Sequence, residues 1–212
     1  IGDILSVGLP STVMQAIASV MNLGMNALLS GFPEGNAAVN VLNVYFKLQS
    51  FIFMPCFGLG SGLIAIVGYN FGAQNFGRMK AVMKFSVLVN VIAGTVLTGI
   101  YFVFARQIVG VFSQVPAVVL MGIQIIHALM VSSPIIGILF VLNFTFQATG
   151  KAAQSLALAV SRQGFVFLPL IFLLNRIFGL GGIVFAQPVA DGVSVLVAFA
   201  MFTMMNMEFR RI

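Results

Sequence analysis

Charge is what this sequence has least of: Asp, Glu, Lys and Arg together make up 7% of its 212 residues. Soluble domains carry about 25%. A globule of this composition could not cover itself with water-compatible side chains, which excludes a soluble enzyme and a disordered chain alike. Tryptophan is absent, and the single cysteine, Cys56, permits no internal disulfide and so says nothing of redox compartment. One histidine, one cysteine and four scattered acids are too few to build a metal site, and no cofactor is expected. The net charge of +6 is no argument for nucleic acid, because no basic stripe with interleaved aromatics exists.

What remains is apolar. Hydrophobic residues make up 60% of the chain, with 22 Phe and 12 Met. A membrane helix needs about 20 apolar residues to cross a core of roughly 30 Å. Six runs meet that length, at 4–30, 37–69, 80–104, 117–147, 153–175 and 181–206. They are continuous rather than alternating, so the expected fold is an all-α membrane protein with six transmembrane helices in one unit. The breaks are short and rich in turn formers, as in Gly31-Phe-Pro-Glu-Gly-Asn36 and Thr149-Gly-Lys151, and no soluble domain fits anywhere. The second and fourth runs are overlong and carry central prolines, Pro55 and Pro134, where kinks are expected.

Basic residues set the orientation. Arg78, Lys80, Lys84, Lys151, Arg210 and Arg211 fall on one face and only Arg106 and Arg176 on the other, six against two. By the positive-inside bias both ends of the chain are expected in the cytoplasm. Lys47 and Arg162 belong to neither face, since both lie inside spans.

Polar residues inside the spans carry the functional information. Thr12, Gln15, Ser19, Asn22 and Asn26 are spaced 3, 4, 3 and 4, and Asn36, Asn40, Asn43, Lys47 and Ser50 are spaced 4, 3, 4 and 3. Each series traces one face of a helix. Facing lipid, such a stripe would strand its amides at several kcal/mol each. It must face another helix, as hydrogen-bonding glue, or a wet cavity. A lysine glues neutral helices poorly, so the cavity is favoured for the stripe with Lys47.

Arg162 lies about 11 residues from the start of the fifth run and Asp191 about 11 from the start of the sixth. At 1.5 Å per residue both reach a depth of ~16 Å, the mid-membrane. Opposite charges at one depth on consecutive helices point to an ion pair, either a structural pin or a titratable, substrate-linked site. Gln187 and Ser194 would give the aspartate a polar face. His127 is a packing residue or, alternatively, a proton relay. Gly58-Leu-Gly-Ser-Gly62 lacks the context of a phosphate loop. Paired with His127, Ser61 would suggest an intramembrane serine protease, for which no oxyanion donor can be argued.

The stretch Tyr45-Phe-Lys-Leu-Gln-Ser-Phe-Ile-Phe-Met-Pro55, then Gly58-Leu-Gly60 and Gly68-Tyr-Asn-Phe-Gly-Ala-Gln-Asn-Phe-Gly77, resembles the MATE family of multidrug and toxic compound extrusion transporters, in its MepA-like branch. The likeness resumes at Phe146-Gln-Ala-Thr-Gly-Lys151, Ser161-Arg-Gln163 and Gly181-Gly-Ile-Val-Phe-Ala-Gln-Pro-Val-Ala-Asp191. In that family these motifs mark the second six-helix lobe of a twelve-helix protein. The chain starts at Ile1 almost directly in a span, and is read as this C-terminal half, with the N-terminal six-helix lobe as its missing partner. The resemblance implies a non-enzymatic antiporter in a prokaryotic cytoplasmic membrane. It would export cationic amphipathic drugs against H⁺ or Na⁺, with membrane lipids around it. Gln15, Ser19, Asn22, Asn26, Asn40, Asn43 and Lys47 would line the cavity; Arg162 and Asp191 would be the ion-coupling or structural pair. Lys47 and Arg162 match basic positions of the branch and Asp191 its Pro-x-x-Asp acid. NorM-like members place cation-binding carboxylates in the first and fourth helices of this lobe, where this sequence has none. A related lipid-linked saccharide flippase and a non-transporting scaffold are the alternatives.

Overall fold

The computed structural model describes residues 12, 16, 19–21, 23–27, 30–31, 35–112 and 114–209, with backbone alone at some of them, including 35–38, 40–42 and 206–209. Among the described residues there is no β-strand. Within the run at 4–30, most of which lies outside them, residues 19–21 and 23–27 are helical. The remainder forms α1 (Gly35–Gly72), α2 (Phe76–Phe112), α3 (Pro116–Met130), α4 (Ser133–Ala148), α5 (Ala152–Val160), α6 (Leu168–Phe178) and α7 (Leu180–Phe209). A π-helical segment, Ser161–Phe167, joins α5 to α6 without a break. Among the described residues, four helices are long and apolar enough to cross a membrane, or five if the bent pair α3–α4 counts as one span.

Polar groups close the turns locally. Between α1 and α2 the chain reverses in three residues, with Gln74 at φ 56° and the Asn75 side-chain oxygen accepting the Arg78 N–H at 3.2 Å. That is an N-cap, and it fixes α1 and α2 as antiparallel neighbours. The chain leaves α4 through Gly150 at φ 74°, where the Lys151 N–H donates to Phe146 O at 2.8 Å, a glycine C-cap.

The two prolines behave differently. α1 runs on through Pro55, which is exposed. At Pro134 the expected single span 117–147 instead divides into α3 and α4, which meet at 42°. A proline at 134 cannot bond the carbonyl four residues back, Met130 O. The Thr98 hydroxyl of α2 shares its one proton between Gly94 O at 2.7 Å and Met130 O at 3.2 Å. Gly94 lets α2 approach this break, for a Cβ there would sit 3.0 Å from Ser133 O and 3.1 Å from Pro134 Cα.

Among the described residues the interior holds two apolar clusters. One joins Tyr101 and Val109 of α2 to Ile126, Met130, Phe167, Ile171, Ile183, Ala186 and Ala190. The other joins Leu63, Val67, Met79, Leu142, Phe146, Leu158, Ala198 and Met205. Along the chain, polar residues stand between segments of the two clusters: Asn90 on α2, Ser132 and Ser133 at the α3–α4 break, Arg162 after α5, and Asp191 and Ser194 on α7.

Candidate functional site

Two of these polar residues, Arg162 and Asp191, form an ion pair. Arg162 Nε donates to Asp191 Oδ1 at 2.7 Å, with the aspartate side chain 0% and the arginine side chain 15% exposed. Arg162 stands on the π-helical segment, whose wider turn differs from the flanking α-helix and is a feature often found at functional positions. The contact is one-sided. Asp191 Oδ2 is fully buried and has no hydrogen-bond partner. Ser194, one turn along α7, does not reach it, because its hydroxyl donates to Ala190 O at 2.7 Å. The expected polar face around Asp191 is therefore narrower than its sequence neighbours suggest: Ser194 serves its own helix, while Gln187 is buried beside it. Removing either charge would leave the other isolated in the bundle, the costly arrangement for a buried pair.

The second candidate surface is α1. Asn43, Lys47 and Ser50 are exposed, and the same helical face continues through Phe51, Met54, Phe57 and Ser61. It is polar and cationic toward the start of the helix and aromatic toward its middle. Phe57 packs edge-on against Phe140 and Phe144 of α4, with centroids 4.9 and 5.9 Å away. Lys47 Nζ lies 6.0 Å from the Phe112 ring centroid, at the limit of a cation–π contact. Ser50 donates to Phe46 O at 2.9 Å, which turns its polarity inward along the helix.

On the preceding stripe Thr12 and Ser19 are exposed, and Asn26 is half-buried with its side-chain oxygen enclosed and unbonded. Gln15 and Asn22 lie outside the described residues, as do the side chains of Asn36 and Asn40. Ser61 and His127 are not brought together. Ser61 donates to Phe57 O at 3.0 Å, whereas the His127 ring stacks on Phe102 at 4.3 Å and bonds Phe102 O at 3.3 Å. No serine–base pair forms, which removes the support for a protease. Among the described residues no three His, Cys, Asp or Glu side chains gather to hold a metal.

One polar cluster escapes sequence reasoning. Asn143 Oδ1 accepts from Gln147 Nε2 at 2.7 Å and from Ser155 Oγ at 3.0 Å, while Asn143 Nδ2 donates to Ser155 O at 3.2 Å. The i, i+4 spacing of Asn143 and Gln147 inside an apolar run was the available signal. Its members satisfy one another, so the cluster locks α4 to α5 and leaves little to offer a ligand.

The MatE family model matches residues 10–173. The chain belongs to the MatE family. It is 32% identical over 196 residues to the multidrug export protein MepA of Staphylococcus saprophyticus, covering 92% of this chain and 43% of that protein. MepA of Staphylococcus aureus (strain NCTC 8325) is 29% identical over 198 residues, covering 93% of this chain and 43% of that protein. The chain thus spans less than half the length of these MatE relatives. Its fold matches a multidrug resistance MATE family transporter of the MOP superfamily in its outward-facing conformation, with TM-score 0.91 at 18% identity over 99% of this chain and 47% of the other. A MATE crystal structure in the straight conformation gives TM-score 0.91 at 19% identity, again over 99% of this chain and 47% of the other. This is an all-helical membrane protein of the MatE fold.

Proposed function

We propose that this chain is the C-terminal lobe of a multidrug exporter, a transporter and not an enzyme, which expels cationic amphipathic compounds against H⁺ or Na⁺. The observation that carries the reading is the exposed face of α1, polar at Asn43 and Lys47 and aromatic at Phe51, Met54 and Phe57. A bulky amphipathic molecule needs both kinds of contact, and a flexible thioether such as Met54 adapts to many shapes. Family membership and the MepA relatives support the same reading. In it, a second six-helix lobe faces α1 across the cavity, and both ends of this chain lie in the cytoplasm of a prokaryote. Gln15, Ser19, Asn22, Asn26 and Asn40 would extend the same wall.

Ion coupling would act at Arg162 and Asp191. Asp191 Oδ2 is a buried oxygen with a lone-pair direction unused. A proton or cation arriving there weakens the bond to Arg162 and frees α5–α6 to move relative to α7. Lys47 would hold negative charge across the cavity until the drug or coupling ion displaces it.

The test is accumulation of ethidium, a cationic amphipathic dye, in a bacterial host stripped of its own exporters. With the chain expressed beside a complementing N-terminal lobe, accumulation falls, and a protonophore or sodium removal restores it. Unchanged accumulation at normal membrane abundance of both halves would overturn the reading.

A further inference from the structure

The rotation of α2 is set by its buried line, Met79, Met83, Ser86, Asn90 and Gly94. The opposite side presents Phe85, Leu88, Ile92, Val96, Ile100 and Val103, all exposed. Its one hydroxyl, Thr95, donates to Val91 O at 2.7 Å and so offers nothing outward. This apolar stripe stops at a cation on each end, Lys84 and Arg106, both exposed. The separation from one to the other rises about 33 Å, close to the hydrocarbon thickness of a bilayer. Fatty acyl chains are what such a surface meets.

The two ends differ. At the Lys84 end a second exposed cation, Arg78, stands on the other flank of the stripe, about 9 Å further along the axis. Neither cation takes part in an ion pair: among the described residues the one such pair is Arg162–Asp191. The first turn of α2 contains no acidic side chain. Two unpaired cations beside the end of an apolar stripe reproduce the vertical order of one leaflet, chains first and then phosphate.

We propose that this face of α2 binds an anionic phospholipid, its headgroup phosphate between Arg78 and Lys84 and its acyl chains along Phe85, Leu88 and Ile92. Bidentate hydrogen bonding suits Arg78 to phosphate, and Lys84 adds a compact charge. The site is separate from the α1 face and from the Arg162–Asp191 pair, and stands or falls independently of the export reading.

The experiment is native mass spectrometry of the chain released from vesicles of equal phosphatidylglycerol and phosphatidylcholine. Phosphatidylglycerol is retained in preference by about tenfold or more, since two juxtamembrane cations each favour an anionic lipid. R78Q/K84Q brings the ratio close to one, R78K/K84R keeps most of it, and R176Q, a lone exposed cation elsewhere, leaves it unchanged. Millimolar inorganic phosphate does not displace the lipid. Equal retention of the two lipids, or full preference in R78Q/K84Q, overturns the proposal. Displacement by free phosphate, or a lipid-free dimer joined along α2, assigns the face to another occupant and overturns it as well.

Discussion

Arg162 holds Asp191 by a single nitrogen, Nε to Oδ1 at 2.7 Å, and leaves the second carboxylate oxygen buried and unbonded. A bidentate fork would satisfy both oxygens and fix the helices more firmly. Along α7 the pair lies between residues of the two apolar clusters, with Ala190 in one and Ala198 in the other.

Charge removal at this pair is therefore strongly non-additive. R162M alone or D191N alone lowers stability by about 3–5 kcal/mol, because each strands or unbalances a buried group. The double variant R162M/D191L loses markedly less. Thermal unfolding of the purified chain in detergent, with membrane abundance as a second readout, checks the order. A loss in the double variant equal to the sum of the two single losses would show that the pair contributes little.

Lys47 is exposed and its amine lies near Phe112 at the end of α2. In the proposed exporter, K47A impairs drug resistance at unchanged abundance, and K47R retains part of it because the charge remains. If Lys47 only extends toward the membrane surface to hydrate its amine, K47A is silent. Resistance measured at matched expression separates the two.

Thr98 gives the Met130 carbonyl, which Pro134 leaves without its helical donor, the weaker share of a hydroxyl proton that also binds Gly94 O. T98V keeps the shape and removes the hydroxyl. It lowers stability by about 1–2 kcal/mol, the penalty for a buried acceptor left unbonded. A fall of a few degrees in Tm is expected, whereas T95V, whose hydroxyl bonds only its own helix, shifts it less. Equal shifts would mean the α3–α4 break finds its own donors.

Hydropathy made the helices legible, since in lipid a long apolar run has no other way to satisfy its backbone. Pro134 announced a break, but not that Thr98, 36 residues upstream, would serve it, because that depends on how α2 packs. Depth arithmetic brought Arg162 to Asp191; the π-helical turn and the unbonded Oδ2 leave no sequence signature. Ser194 shares a helical face with Asp191, yet its hydroxyl has a nearer acceptor in Ala190 O. Nothing local to Asn143 and Gln147 points to their partner, because Ser155 lies across a turn. For Gln15 and Asn22, outside the described residues, the sequence stripe stands alone.

The central claim is that the exposed face of α1 borders water and drug while the exposed face of α2 borders lipid. Thiol accessibility in the assembled transporter tests it most directly, with Cys56, the chain's one cysteine, replaced by alanine. Single cysteines at Asn43, Lys47 and Met54 are predicted to react with a membrane-impermeant maleimide and to be protected by a cationic drug. Cysteines at Leu88 and Ile92 are predicted to stay unreactive. Slow, drug-insensitive labelling at all five positions would contradict the account.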